Sequence, residues 1–239
     1  MADAVSQAPC TPAYSLRALA HLLGYPRAEL REALPELRQA LRHDAALGTA
    51  RQQGIEALID SLTQRDALQV EADYVELFDR GRATSLHLFE HVHGDSRDRG
   101  PAMIDLLKTY EQAGLFLDES NAKGELPDHL PIVLEFISTL PHDQMTGFVS
   151  EIAHILNALY AALLKRRSLY AHVPAAVLEL GQQAITPVDV PEDEALDASW
   201  VEPDAFGGCS SHGQTSPDQP QPIQIVRRKP ADAQRGAPA

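Results

Sequence analysis

This sequence predicts a single compact, helical bundle-like all-α domain, followed by a disordered C-terminal tail. Three observations carry that reading. Apolar residues recur at helical spacing from Tyr14 to Ser168. No segment shows sustained period-two alternation with β-branched enrichment, and no internal repeat is visible. Beyond Thr186 the composition shifts to Pro, Gly, Ser and acids, too poor in core formers to repay the entropy of ordering. The expected division is therefore a flexible 1–13, a helical body over 14–185, and an acidic tail over 186–239.

Each helix has its own justification. Tyr14 to Leu23 puts Leu16, Leu19, Leu22 and Leu23 on one stripe and exits at Gly24, with Pro26 beyond. Ala28 to His43 reads as two short helices, broken or kinked near Pro35. Thr49 to Gln64 spaces Ile55, Leu58, Ile59 and Leu62 helically, and Asp66 to Asp79 does the same with Val70, Tyr74, Leu77 and Phe78. Pro101 suits the first turn of a helix that Gly114 closes. Asp128 is expected to cap a helix running to about Leu140. The strongest pattern is Gln144 to Ser168, which ends on Lys165, Arg166 and Arg167, where the helix dipole favours cations.

Charge and cysteine content narrow the function. The 239 residues carry a formal net charge of −14, a field that repels a phosphate backbone and speaks against nucleic acid. The two cysteines, Cys10 and Cys209, make neither a disulfide framework nor a Cys-rich zinc site and suit a reducing cytosol. The N-terminus shows neither a basic nor an apolar signal region. The longest uncharged apolar run, Ile152 to Leu164, falls short of the ~18 residues of a spanning segment. No direct membrane insertion is expected, and a cytoplasmic location is.

The stretch Tyr74 to Gly100 stands apart. It gathers aromatics, three histidines and four arginines, groups that are costly to bury without partners, and so reads as a working surface. Within it, His87, Glu90 and His91 match H-x-x-E-H, in which two imidazoles one helical turn apart hold zinc and the carboxylate activates water. A zinc-dependent hydrolase is therefore one reading. The other is a surface that holds a partner. Glu125 and Asp128 would then form an acidic lip for a basic residue. Tyr74, Phe78, Leu88, Phe89, His91 and His129 would line the rest of a helix-binding groove. At helical spacing, Tyr74, Leu77 and Phe78 are more often core than groove.

The Y-x-x-L-F run at 74–78 and the E-x-P-D-H element at 125–129 resemble those of the redox-enzyme maturation chaperones serving molybdenum reductases. The longer FDRGRATSLHLFEHVHGDSRDRG, with YEQAGL and ELPDHLP after it, is similar to one branch of that group, the nitrate reductase molybdenum cofactor assembly chaperones or delta subunits. The resemblance spans residues 14–180. It implies an all-helical, non-catalytic protein with no metal or cofactor of its own. It also implies a partner, the N-terminal leader-like segment of the apo catalytic subunit, held until molybdenum cofactor and iron–sulfur insertion and before membrane docking. Contact with the proteins that deliver the cofactor would fit the same role. A permanent accessory subunit of the mature oxidoreductase remains a third reading.

Overall fold

The computed structural model describes residues 11–94, 96–117 and 124–189. Among these residues every regular element is helical: α1 (Ala13–Leu22), α2 (Ala28–Asp44), α3 (Thr49–Gln64), α4 (Ala67–Phe78), α5 (Leu88–Val92), α6 (Arg99–Gln112), α7 (Leu130–Ile137), α8 (His142–Lys165) and α9 (His172–Leu180). Short 3-10 turns at Arg82–Thr84 and Leu169–Ala171 join the series. The all-α body is thus present. Most of the expected tail lies outside the described residues, as do the first ten residues of the expected flexible N-terminus.

The core forms where amphipathic stripes meet. Leu16, Leu19, Leu22 and Leu23 are fully buried where α1 packs on α2, α7 and α9. Residues α3 contributes are those its spacing predicts: Ile55, Leu58, Ile59 and Leu62. Asp66 caps α4 by accepting from Gln69 N–H at 3.1 Å, which satisfies one of the orphan donors at a helix start. Between α2 and α3, Arg38 and Arg42 reach Glu56 at 2.6 and 2.8 Å.

Two expectations change. Pro35 does not break the chain into two helices, because α2 runs through it. The proline costs a backbone hydrogen bond, yet Leu34, Leu37 and Leu41 stay on one buried stripe that tertiary packing holds in place. The second change is α9, which the periodicity does not announce. It is buried nearly all round, so it has no polar face to betray a helical period. Its approach to α3 is close enough to require Gly54, where an added Cβ would come within 2.2 Å of the His172 ring.

By length and composition, α8 is the one described helix that could cross a membrane, longer than the apolar run at its centre suggests. Here Met145, Val149, Ile155, Leu156, Leu159 and Leu163 are buried, with α9 packed against the helix. Asn157, which interrupts the apolar run, is a tie. Its side chain donates to Ala153 O at 2.8 Å and accepts from Thr186 N–H at 2.7 Å, holding the segment after α9 against α8.

Candidate functional site

The two sequence elements that stand out, 85–93 and 125–130, are brought together by the fold. Leu88 N–H donates to Asp128 O at 3.0 Å and Leu130 N–H to Leu86 O at 2.8 Å, a single antiparallel bridge between His87 and His129. One residue sits at the centre of this crossing. Asp128 is 0% exposed. Its carboxylate accepts from Phe89 N–H at 3.0 Å and from His87 Nδ1 at 3.2 Å, with Arg99 Nη2 at 3.9 Å.

This corrects the reading of Asp128 as lip and as local cap. It does not cap α7, whose own second residue, Pro131, has no N–H to offer. Instead it caps α5, 39 residues earlier in the chain. A buried carboxylate needs this much compensation, and it has a backbone donor, an imidazole and a guanidinium.

Around it the electrostatics are graded. The hydrogen bond from His87 to Asp128 raises the imidazole pKa above its ordinary value, against the opposing effect of burial. His129 moves the other way, down to about 4, because burial and then the neighbouring His87 charge disfavour protonation. The two rings lie 5.2 Å apart. Glu125 is the exposed member, 45% accessible at its side chain, with Oε2 at 3.7 Å from His87 Nε2 and 3.9 Å from His129 Nδ1. Arg99 Nη2 also reaches Glu90 Oε1 at 3.4 Å. Arginines thus brace this segment against local acids, Arg99 on Glu90 and Asp128 and Arg80 on Glu76 at 2.7 Å.

The H-x-x-E-H pattern does not assemble as a zinc site. His87 precedes α5, with its Nδ1 on Asp128, while His91 Nε2 donates to Ser85 O at 2.9 Å. Glu90 faces Arg99. Among the described residues no three His, Cys, Asp or Glu side chains are placed to share a metal ion.

The remaining candidates divide by burial. Tyr74, Phe78 and Leu88 belong to the core, and Phe89, His91 and His129 are half-buried. Tyr74 donates to Leu23 O at 2.6 Å, and its ring packs on Phe78 and Tyr170 at 4.7 and 6.1 Å. Burial raises its hydroxyl pKa steeply. This aromatic cluster supports the surface from beneath. Only Phe78 reaches a cleft of about 500 Å³, where it meets Arg80, Ser85, His87, Glu90 and Arg99.

Two contributors escape the sequence reading. Arg166, expected only to complement the α8 dipole, donates through Nη1 to Leu77 O and Thr84 Oγ1, both at 3.1 Å, and so anchors the turn before His87. Tyr110 donates to Pro127 O at 2.8 Å and holds the 125–129 turn from its other side. Its place in YEQAGL was the available signal.

The family model described as nitrate reductase delta subunit matches residues 25–175, well over half the chain. The chain belongs to that family. It is 43% identical over 194 residues to NarJ of Escherichia coli (strain K12), the nitrate reductase molybdenum cofactor assembly chaperone, covering 77% of this chain and 80% of that protein. NarW of the same strain is 37% identical over 197 residues, covering 78% and 80%. A solved redox enzyme maturation protein from Archaeoglobus fulgidus shares the fold, with a TM-score of 0.52 at 17% identity over 76% of this chain and all of that one. The family is one of assembly chaperones, and the chain is not an enzyme.

Proposed function

We propose that this chain is the dedicated assembly chaperone of a respiratory nitrate reductase. It binds the catalytic subunit in its apo form, in the cytoplasm, through that subunit's N-terminal leader-like segment. The subunit stays competent for molybdenum cofactor and iron–sulfur insertion, and its docking on the membrane partner is delayed. The observation that carries this reading is the 43% identity to a named assembly chaperone across four-fifths of that protein's length. The site geometry supports it. A crossing pinned by a buried carboxylate sets the exposed Glu125 beside the half-buried His129, Phe89 and His91.

The expected affinity follows from the anchors. Burying four client side chains at the upper end of ~1.5–3 kcal/mol each, about 12 kcal/mol, less about 4 kcal/mol for ordering the peptide, leaves a net of about −8 kcal/mol. That corresponds to a Kd of ~1 μM, tight enough to hold a client and loose enough to release it. Isothermal titration with a peptide of the catalytic subunit's N-terminus should give saturable 1:1 binding in this range. No binding at a hundredfold higher concentration would refute the reading.

A further inference from the structure

Where α4 ends and the chain turns towards α5 lies a polar cleft of about 500 Å³, within the range of small-molecule sites. Three guanidiniums, of Arg80, Arg82 and Arg99, line it together with the His87 ring. Two carboxylates, Asp79 and Glu90, oppose them. The recess is cationic in a protein whose net charge is −14, so its local field runs against that of the whole chain. Its walls are held in place. Arg166 grips Leu77 O and Thr84 Oγ1 at the start of the turn, both at 3.1 Å. Arg82 lies against Gly94, at φ +52°, where an added Cβ would come within 3.2 Å of both terminal guanidinium nitrogens.

We infer that this cleft is a phosphate site, in which Arg80, Arg82 and Arg99 hold a small phosphorylated molecule or the free anion. Such a ligand is additional to the client and does not depend on the reading that assigns one.

The ion pairs that the arginines make are exchangeable. Arg80 meets Glu76 at 2.7 Å, but both side chains are more than half exposed, so the pair contributes little and opens at small cost. Arg99 reaches Glu90 at 3.4 Å and Asp128 at 3.9 Å, both longer than a tight charge-assisted contact and both through Nη2. A guanidinium presents several N–H donors in a planar fork, and an oxyanion can take the others. Ser85 Oγ accepts from His87 N–H at 3.2 Å, which leaves its own hydrogen to donate. The hydrogen bond to Asp128 raises the His87 pKa and so favours positive charge on the same wall. The balance of charge selects the ligand. Against Asp79 and Glu90 a lone carboxylate gains little, whereas the roughly double charge and several acceptor oxygens of a phosphate outweigh them. The volume leaves room for an organic body beside the phosphate.

The test is isothermal titration of the full chain, in a phosphate-free buffer of low ionic strength, with inorganic phosphate, ribose 5-phosphate and acetate. At least one of the two phosphates should bind saturably at 1:1 with a Kd below about 1 mM, and acetate should not. Tighter binding of the ester assigns the site to a phosphorylated molecule; equal or tighter binding of inorganic phosphate assigns it to the free anion. Arg80→Gln and Arg82→Gln should each weaken the bound phosphate about fivefold or more with unchanged helicity. Arg80 is exposed, so its variant decides the matter even where Arg82→Gln folds poorly. Asp79→Asn removes an opposing charge and should tighten binding about twofold or more, a gain that mere loss of structure would not give. Arg65→Gln, a surface arginine outside the cleft and paired with Asp73, should stay within about twofold of wild type. No binding of either phosphate at about 10 mM would overturn the site. So would acetate binding as tightly as phosphate, affinity left intact by Arg80→Gln, or equal losses in Arg65→Gln and Arg80→Gln.

Discussion

Replacing Asp128 by alanine isolates the residue that holds the crossing together. The carboxylate satisfies Phe89 N–H and His87 Nδ1–H and faces the Arg99 guanidinium, all while fully buried. Its removal strands a backbone donor, worth ~1–3 kcal/mol, and leaves the half-buried His87 ring and the Arg99 guanidinium without their carboxylate partner. Breaking a buried pair from one side costs ~3–5 kcal/mol, and we take that as the expected loss. For a chain of this size each kcal/mol lowers Tm by about 2–4 °C, so the variant should melt roughly 6–20 °C below wild type. Asp128→Asn keeps an acceptor for Phe89 and should lose less. Urea unfolding measures the cost, and an NMR titration of the His87 ring reads the local cause. With the carboxylate gone, both of its raising effects are lost and burial is opposed only by Glu90 and Glu125, so the His87 pKa should fall from its raised value. A loss under ~0.5 kcal/mol, or an unmoved His87 titration, would show that Asp128 does not hold the crossing.

Three further outcomes follow from the same geometry. Gly54→Ala should cost ~1–3 kcal/mol in urea unfolding, since the new methyl meets the His172 ring at 2.2 Å and α3 must move off α9. His129, depressed from 6.5 to about 4, favours the fold when neutral; its contribution, ~3 kcal/mol at full extent, is present above pH 6.5 and lost as pH falls towards 4. His87, raised, contributes the opposite slope, present below pH 6.5 and lost as pH rises through its folded value. His129→Gln should therefore flatten the acid side of the stability–pH curve, and an unchanged curve would contradict the burial of the ring. Glu125→Lys, at an exposed position, should leave stability within ~0.5 kcal/mol while weakening a basic peptide severalfold in the same titration used for wild type.

The fold was legible where packing is one-sided. The helices around Leu16–Leu23, Ile55–Leu62 and Val70–Phe78 each have a wet face, so their period shows in the sequence. The helix α9 is enclosed and shows no period, and Pro35 reads as a break because the packing that overrides it comes from other helices. The site divides the same way. The elements 85–91 and 125–129 are visible as unusual chemistry, and the bracing role of Arg99 follows from nearby acids. The partner of Asp128 was not legible. A carboxylate just ahead of a helix reads as that helix's cap, and only the tertiary crossing sends it to Phe89 instead.

The account stands most directly on whether this chain holds its client before, and not after, the cofactor is in place. We would tag the chain and measure its stoichiometric recovery with the nitrate reductase catalytic subunit, made once without molybdenum cofactor and once fully loaded. The account predicts a 1:1 complex with the apo subunit that is lost when the N-terminal segment is removed, and little or none with the loaded enzyme. Equal recovery with the mature membrane enzyme would contradict it and make the chain a permanent subunit.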